Sequence, residues 1–357
     1  MNRTPDSATS QQTRRLWLFG LFLLLILALF LLNLALGSVS IPLKDIWGIL
    51  IGREGIRESW VYIVQNSRLP RALTAALAGI ALSASGLQMQ TMFRNPLADP
   101  FILGINSGAS LGVALAILGS SFVGGLFLPA LNPSGQFSLV LAASFGAGLV
   151  LALILLVGRW VQNPTTLLIL GLMFGHATSA VVSLLIYFSA PERIQAYSIW
   201  SFGSFSGVNW TQLSVMALVI FAGVSLMALL PKGLNALLLG EDYARTMGLN
   251  VGLLRFIVLL SASVLSGAVT AFCGPIGFIG VAVPHIARNL FKTSNHKILI
   301  PAIILIGAAV SMAASLIAQL PGSQLVLPIN VVTSLFGAPF VVWVVLKRKR
   351  GAASFNV

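Results

Sequence analysis

The chain has 357 residues, of which 57% are hydrophobic and only 8% are charged, whereas about a quarter of the residues of an ordinary soluble domain are charged. This composition excludes a water-soluble globular enzyme. The 21 lysines and arginines outnumber the 8 aspartates and glutamates, which gives a net charge of +13. A nucleic-acid-binding protein would need a soluble fold to display such a basic face. The single cysteine, Cys273, excludes a disulfide framework.

Ten apolar stretches predict membrane spans, because a helix needs about 18 to 20 apolar residues to cross the hydrocarbon core of a bilayer. The eighth stretch is short and is interrupted by glycine and proline. The predicted spans cover residues 16–36, 72–92, 101–118, 137–157, 167–188, 213–230, 253–272, 276–290, 298–318 and 331–346. We therefore expect an all-α, polytopic membrane protein with about ten transmembrane helices per subunit.

One further apolar segment, residues 197–207, is too short to cross a bilayer. It is rich in aromatic residues, which suit the boundary of a membrane, and it predicts a short re-entrant or interfacial helix. The candidate pathway or gate residues in this segment are Trp200, Phe202, Gly203 and Phe205.

The distribution of basic residues predicts the orientation of the chain. An even number of spans places both termini on one side of the membrane. With the N-terminus in the cytoplasm, 15 of the 21 lysines and arginines lie on the cytoplasmic side, as the positive-inside rule requires. We expect a cytoplasmic tail over residues 1–15, a single transmembrane domain over 16–350 and a C-terminal tail over 351–357. The transmembrane domain is expected in the inner or plasma membrane of the cell.

Glycines recur at four-residue spacing in two of the predicted spans. Gly104, Gly108 and Gly112 lie in the third span, and Gly171 and Gly175 lie in the fifth. Because lipid tails are as apolar as leucine, membrane helices associate by close approach of their backbones, which this spacing permits. The pattern predicts helix packing within one subunit.

The ionisable residues argue against ion coupling and against intramembrane catalysis. All eight carboxylates fall in predicted tails, loops or span edges, whereas an ion-coupled carrier would hold such groups near the middle of the membrane. His176, His285 and His296 lack a second ligand at metal spacing, so they predict structural roles and no metal site. Hydrolase motifs are missing, and segment 274–280 lacks the Gly-Lys-Ser/Thr ending of a phosphate-binding loop. We expect no cofactor on this chain.

Two arginines precede the second span in the sequence Arg68-Leu-Pro-Arg71. Proline suits the first turn of a helix, and residues three apart share a helix face. Two cations at a helix N-terminus oppose the helix dipole, so helix stability does not explain them. Either they anchor to lipid phosphates, or they offer a docking charge to an acidic extracellular partner.

A proline-bounded turn follows the second span. Its polar residues and prolines either punctuate an ordinary loop or contact a partner or gate. The candidates are Arg94, Asn95, Pro96, Asp99 and Pro100.

The stretch between spans six and seven, about residues 232–250, predicts two short helices at the membrane surface. Apolar residues recur at helical spacing, Gly240 interrupts them, and acidic residues open a second helix, where they suit its dipole. Such a helix pair could receive force from a soluble partner. The candidates for that contact are Leu238, Leu239, Gly240, Glu241, Asp242, Ala244, Arg245 and Gly248.

A set of motifs occurs in fixed order from the first span to the C-terminus. The motifs are Arg68-Leu-Pro-Arg71, Ser85-Gly86, Arg94-Asn-Pro-Leu-Ala-Asp-Pro100, Leu103-Gly104 followed by Ser107-Gly-Ala, Leu239-Gly240, Gly274-Pro-Ile-Gly277-Phe-Ile-Gly280, Val283-Pro-His-Ile-Ala-Arg288 and Leu335-Phe-Gly-Ala-Pro339. With this set the chain resembles the FecCD family, the membrane-spanning permeases of ABC importers for iron-siderophores, haem and vitamin B12.

The resemblance implies the fold of a type II ABC importer permease and a set of partners. These are a second permease copy in a homodimer or pseudo-dimer, two ATPase subunits that carry ATP and Mg²⁺, and a substrate-binding protein. In that family the loop between spans six and seven couples to the ATPase, and arginines matching Arg68 and Arg71 meet acidic residues of the binding protein. Many members carry a further outer arginine where this chain has Gln319, so this chain has one positive charge fewer for docking.

From the resemblance we expect a permease subunit that is not itself an enzyme and that imports a ferric siderophore, with haem and cobalamin ranked behind. A stand-alone secondary carrier or channel is the main alternative. An intramembrane enzyme is a more distant one, because it would need a catalytic pair that the sequence does not show.

Overall fold

The computed structural model describes residues 5–119, 135–158, 160–161, 164–323 and 325–353. Within these residues the chain forms fifteen α-helices and no strand, which confirms the all-α prediction. In chain order the helices are α1 (Pro5–Ala35), α2 (Leu43–Leu50), α3 (Glu58–Ile63), α4 (Leu69–Met92), α5 (Ile105–Ile117), α6 (Gly135–Val157), α7 (Pro164–Tyr187), α8 (Pro191–Ser201), α9 (Trp210–Ala228), α10 (Pro231–Leu239), α11 (Glu241–Thr246), α12 (Val251–Cys273), α13 (Ile279–Phe291), α14 (His296–Ala318) and α15 (Ile329–Ala353).

Ten of these helices coincide with the ten predicted spans. By length and composition, seven helical stretches of the described chain could cross a membrane, namely α1, α4 together with α3 and the π-helical segment Val64–Arg68, α6, α7, α9, α12 and α14. Helix α5 and the apolar part of α15, Ile329–Val342, are shorter, and α13 has 13 residues. The short α5 and α13 agree with breaks in the sequence, since a 3₁₀ turn precedes α5 and residues 274–278 separate α12 from α13.

Three helical boundaries differ from the sequence prediction. Helices α2 and α3 occupy a region for which the hydropathy pattern predicted no element, because both are too short to register as spans. The helix predicted within residues 197–207 begins earlier, at Pro191, whose fixed backbone suits a first helical turn. The third predicted span begins with the 3₁₀ turn Pro100–Leu103 and bends at Gly104, which has φ of +75°.

Helix α4 lies in the centre of the bundle and packs against α12, α13 and α14. Its contacts with α13 and α14 depend on glycine. A Cβ on Gly79 would lie 2.0 Å from the carbonyl oxygen of Gly307, and a Cβ on Gly86 would lie 1.9 Å from that of Gly280. Backbones therefore touch directly, as small residues allow in membrane helices. We call these contacts of α4 with α13 and α14 the α4 seam.

The glycine spacing in the third and fifth spans has the predicted role. Gly108 and Gly112 of α5 lie against the backbone of α6, where added Cβ atoms would come within 2.5 and 2.0 Å of carbonyl oxygens. Gly104 lies against Gly171 of α7. These glycines pack within one subunit, as predicted. Helix α7 is otherwise mostly exposed, whereas most of α4 is buried.

Candidate functional site: the α10–α11 segment and the two ends of the bundle

Helices α10 and α11 follow one another with one glycine between them, and we call residues 231–250 the α10–α11 segment. Pro231 stands in the first turn of α10, where its missing N–H costs no hydrogen bond. Gly240 has φ of 117°, which glycine adopts at little cost. Glu241 and Asp242 lie in the first turn of α11, where the helix dipole favours them. The structure thus has the two short helices and the glycine break that the sequence predicts.

An ion pair holds α11 to the bundle. Arg255 Nη2 of α12 donates to Glu241 Oε1 at 2.6 Å, and the two side chains are only 11% and 18% exposed. Arg255 Nη1 also donates to the carbonyl oxygen of Val161 at 3.0 Å, so one arginine joins α11, α12 and the connection between α6 and α7. Sequence reasoning used Arg255 only as a topology signal, because nothing in the spacing shows which carboxylate it meets.

The same segment leaves large apolar side chains exposed. Leu239, Tyr243 and Met247 are 64%, 49% and 60% exposed. They follow one another at four-residue intervals across the break between the helices. Ala244, by contrast, is fully buried and faces the bundle. Of the other predicted contact residues, Gly240 is buried and Leu238 and Glu241 are half-buried, and the exposed ones are Asp242, Arg245 and Gly248.

The loop at residues 93–100 lies beside the α10–α11 segment. Arg94 is exposed and has φ of +46°, and its Nη1 lies 3.5 Å from the position of a Cβ on Gly240. Asn95 Oδ1 accepts a hydrogen bond from the backbone N–H of Leu97 at 3.0 Å, a local turn that short polar side chains favour. The structure therefore brings two of the predicted groups, the loop and the segment, together.

The second half of this loop is fastened to α13. The carbonyl oxygen of Pro96 lies 3.1 Å from His285 Nε2. Asp99 Oδ1 accepts from the backbone N–H of Phe101 at 2.9 Å and begins the 3₁₀ turn at Pro100. Burial raises the pKa of the Asp99 carboxyl to about 6, while the hydrogen bond from Phe101 opposes the rise.

The predicted pathway residues lie at the end of α8, away from the α10–α11 segment. They contact the break between α12 and α13. Gly203 has φ of +72°, and a Cβ there would lie 3.2 Å from the carbonyl oxygen of Pro275. Phe205 is buried and Phe202 is 48% exposed, and the backbone of Trp200 lies against Gly274. The end of α8 is therefore packed onto the discontinuous part of the bundle.

Arg68 lies at the opposite end of the bundle and is bound within the chain. Its side chain is only 3% exposed. Nη1 donates to the carbonyl oxygens of Leu34 at 2.6 Å and Ala35 at 2.9 Å, and Nη2 donates to that of Val39. An arginine that satisfies the last carbonyls of a helix stabilises that helix end. Arg68 thus caps α1, a role that the sequence did not predict because the three acceptors lie about thirty residues earlier.

Arg71 and Gln319 differ from Arg68 in their contacts. Arg71 is half-buried, and its Nε and Nη2, which are themselves shielded from solvent by the protein, have no hydrogen-bond partner in the described part of the chain. Gln319 is 4% exposed, and its Nε2 donates to Asn33 Oδ1 at 3.4 Å. Of the three predicted docking residues, Arg71 alone combines a partly exposed side chain with guanidinium nitrogens that the described chain does not bind.

The histidines divide into two kinds. His285 and His296 make hydrogen bonds within the bundle, as predicted for structural histidines. His176 is exposed on α7, which differs from that prediction. Among the described residues, no group of three His, Cys, Asp or Glu side chains could hold a metal ion.

Comparisons with known proteins agree with this geometry. The model of the FecCD transport family matches residues 24–347. The vitamin B12 import system permease BtuC of Klebsiella pneumoniae is 38% identical, over 96% of both chains. The hemin transport system permease HmuU of Yersinia pestis is 35% identical, over 95% of this chain and 97% of the relative. A solved structure described as an inward-facing metal-chelate type ABC transporter has a TM-score of 0.80 and 30% identity, over 92% of this chain and 98% of that one.

The apolar helices, the short broken helices between them and the α10–α11 segment define a multi-pass membrane permease with the type II ABC importer fold. The chain belongs to the FecCD transport family. The resemblance found in the sequence motifs is thereby confirmed.

Proposed function

We propose that the chain forms the translocation pathway of an ATP-driven importer in the inner or plasma membrane, with both termini in the cytoplasm. ATPase subunits bind the α10–α11 segment, and a binding protein delivers the cargo at the opposite end. The observation that carries this proposal is the set of exposed apolar residues Leu239, Tyr243 and Met247 on a segment that an ion pair fixes to the bundle.

The exposure of these side chains favours a protein partner. Contiguous apolar surface on a polar face of a protein marks an interaction site. Because the Glu241–Arg255 pair joins α11 to α12, a partner that moves the segment also moves a long helix of the bundle. The chain carries no phosphate-binding loop of its own, so ATP and Mg²⁺ belong to that partner.

The exposed face of α7 favours a second copy of the permease. His176 and Ser179 are exposed on this largely apolar helix. Polar side chains within a membrane face other helices or a water-filled cavity, because lipid cannot satisfy them. We infer a homodimer in which α7 of each copy faces the shared pathway.

The proposed cargo is a metal chelate. Relatives named for vitamin B12 and hemin, and a structural neighbour described as a metal-chelate transporter, support this class. A ferric siderophore belongs to the same class. Uptake of each compound into vesicles that contain the permease, its ATPase and its binding protein separates the three cargoes.

Reconstitution tests the proposal. We expect cargo uptake only when ATPase, binding protein and ATP are all present, and no ATP hydrolysis by the permease alone. Replacement of both Leu239 and Met247 by serine should weaken ATPase binding about thirtyfold, because apolar anchors at an interface contribute on the order of 1 kcal/mol each. Leu325→Ser, at a residue that is 71% exposed at the other end, is the matched control. ATP-independent uptake would instead favour a stand-alone carrier.

For the binding protein, we propose that Arg71 supplies the docking charge and that Arg68 does not contact it. Arg71→Glu should weaken binding-protein association at low salt, whereas Arg53→Glu, an equal charge change at an exposed residue, should have a smaller effect. Unchanged association of the Arg71 variant would leave lipid phosphate as the partner of this arginine. Arg68→Ala should lower the melting temperature instead, because three carbonyl oxygens lose their donor.

A further inference from the structure

A chain of side-chain hydrogen bonds runs from α10 through the start of α14 to the end of α4. Asn235 Oδ1 of α10 accepts from the backbone N–H of His296 at 2.9 Å and lies 2.8 Å from His296 Nδ1. His296 Nε2 lies 2.8 Å from Thr91 Oγ1 of α4. His296 and Thr91 are both fully buried, so water does not compete for the bond between them, whereas Asn235 is half-buried.

The donors and acceptors of this chain can be assigned from one backbone group. The N–H of His296 can only donate, so the amide of Asn235 must turn its oxygen toward it. The same oxygen faces Nδ1, which must therefore carry the ring proton, and Nε2 is left to accept from the hydroxyl of Thr91. That hydroxyl also lies 2.8 Å from the carbonyl oxygen of Leu87, so its single proton is shared between two acceptors.

Asn235 makes a further bond to α14. Its Nδ2 donates to Asn295 Oδ1 at 3.1 Å, and Asn295 Oδ1 also accepts from the backbone N–H of Lys297 at 3.0 Å, where it caps α14. One amide of α10 thus binds the first turn of α14 through both its oxygen and its nitrogen. Helix α10 is held to α14 by these bonds and to α4 through the ring of His296.

We propose that Asn235, His296 and Thr91 are positioning residues that make α10, α14 and α4 move as one body, so that force applied to α10 reaches the α4 seam. This inference rests on the proposed function, in which an ATPase binds the α10–α11 segment. The inference gives the two helices of that segment different connections to the bundle. Helix α11 is joined to α12 by an ion pair, whereas α10 is joined to α14, and through His296 to α4, by neutral hydrogen bonds.

The hydroxyl of Thr91 offers the sharpest test, because Thr91→Val keeps the shape of the side chain and removes its bond to His296. In vesicles with ATPase and binding protein, the variant should assemble normally and hydrolyse about five times more ATP per cargo molecule imported, the effect of one lost hydrogen bond of about 1 kcal/mol. Thr91→Ser restores the hydroxyl and should restore the wild-type ratio.

Thr74→Val is the matched control within the same helix. Thr74 is also fully buried, but its hydroxyl donates only to its own helix, to the carbonyl oxygen of Pro70 at 2.7 Å. The ratio of ATP to cargo should therefore stay near wild type in this variant. An equal rise in the ATP-to-cargo ratio in Thr74→Val and Thr91→Val, or a wild-type ratio in Thr91→Val, would overturn the proposed link from Asn235 through His296 to Thr91, which we call the relay.

Asn235→Leu removes the other end of the relay and tests whether the residues act together. It should raise the ATP cost of import by a similar factor. The double variant with Thr91→Val should hydrolyse no more ATP per cargo molecule than the more affected single variant, because either substitution alone already interrupts the hydrogen-bond chain. Fully multiplicative losses would show that the two residues act independently.

Amide hydrogen exchange in the purified permease alone separates this proposal from the proposed function. Thr91→Val and Asn235→Leu should raise exchange about fivefold in α10 and the first turn of α14, with little change in α11. If wild-type vesicles fail to import with ATPase and binding protein, the proposed function fails, and exchange still decides whether α10 is fastened as described. Unchanged exchange in α10 would overturn the relay in either case.

Discussion

The α4 seam and the α10–α11 segment differ in how much space surrounds their backbones. In the seam a Cβ on Gly86 would lie 1.9 Å from a carbonyl oxygen of α13, whereas nothing lies within 4 Å of such an atom on Gly248. The seam holds three helices in one arrangement, because helices in direct backbone contact cannot shift without losing that contact. The segment keeps open surface for another molecule. A permease whose conformation is changed by a separate protein needs both kinds of region.

The largest expected effect would break the seam itself. Gly86→Ala should lower the free energy of unfolding by about 3 kcal/mol, because the added methyl group meets backbone atoms of Gly280, which cannot rotate away. The thermal melting midpoint of the detergent-solubilised protein measures this loss.

Gly148→Ala is the control for the seam. It lies in helix α6 and has nothing within 4 Å of its Cβ position. The alanine should be neutral or slightly stabilising, because glycine costs about 1 kcal/mol inside a helix. Equal melting midpoints for the two variants would show that α4 and α13 are not in close contact.

The helices that form the seam could be predicted from the sequence, but which of them contact one another could not. Runs of apolar residues show where a helix crosses the membrane, and glycine spacing shows which helices approach closely. Neither shows which helix is approached. Gly86 was predicted only as part of a motif, and its contact with Gly280 joins residues almost two hundred positions apart. Such contacts depend on the tertiary arrangement, and hydropathy carries no information about it.

The candidate site was predicted unevenly for a similar reason. The two helices of the α10–α11 segment follow from local signals, a proline, a glycine and two acidic residues. The roles of charged residues do not, since they depend on distant partners. Arg68 stands in a motif that resembles a docking site, yet its guanidinium binds carbonyl oxygens at the end of α1. Arg255 lies in none of the motifs, yet it holds α11 to the bundle.

The next largest effect is expected from a substitution that loosens the α10–α11 segment and leaves the seam unchanged. Glu241→Gln leaves Arg255 without its negative partner in a site where both side chains are mostly buried. We expect a loss of about 2 kcal/mol, between the values for exposed and fully buried ion pairs. Thermal melting gives the loss, and hydrogen exchange should show it as faster exchange in α11 than in α10.

Asp242→Asn is the control for this ion pair. Asp242 lies 3.7 Å from Arg245, and its side chain is fully exposed. Removal of its charge should lower the melting midpoint much less than Glu241→Gln does, because solvent screens both the pair with Arg245 and the interaction with the helix dipole. A loss equal to that of Glu241→Gln would mean that the general charge of α11, and not the bond to Arg255, holds the helix in place.

The smallest effect is expected in the loop at residues 93–100, which touches both regions. Asp99 Oδ2 lies 3.3 Å from the Cβ position of Gly280 in the seam, and Arg94 lies beside Gly240 in the segment. Burial raises the pKa of Asp99 from 3.8 to about 6. The folded protein therefore binds this proton more tightly than the unfolded chain does. Above pH 6 the charged carboxylate destabilises the fold, and this cost is lost as the pH falls through 6 toward the unfolded value.

Stability should accordingly rise between pH 7 and pH 5 by about 1 kcal/mol from this group, roughly one or two degrees in the melting midpoint. Asp99→Asn should remove that part of the rise, because its amide is neutral at both pH values and can still accept the hydrogen bond from Phe101. Other groups titrate in the same range, so the difference between wild type and variant is the quantity to measure. An identical pH response in the two proteins would mean that Asp99 is more fully solvated than its position against Gly280 indicates, and that the loop is not held against the seam.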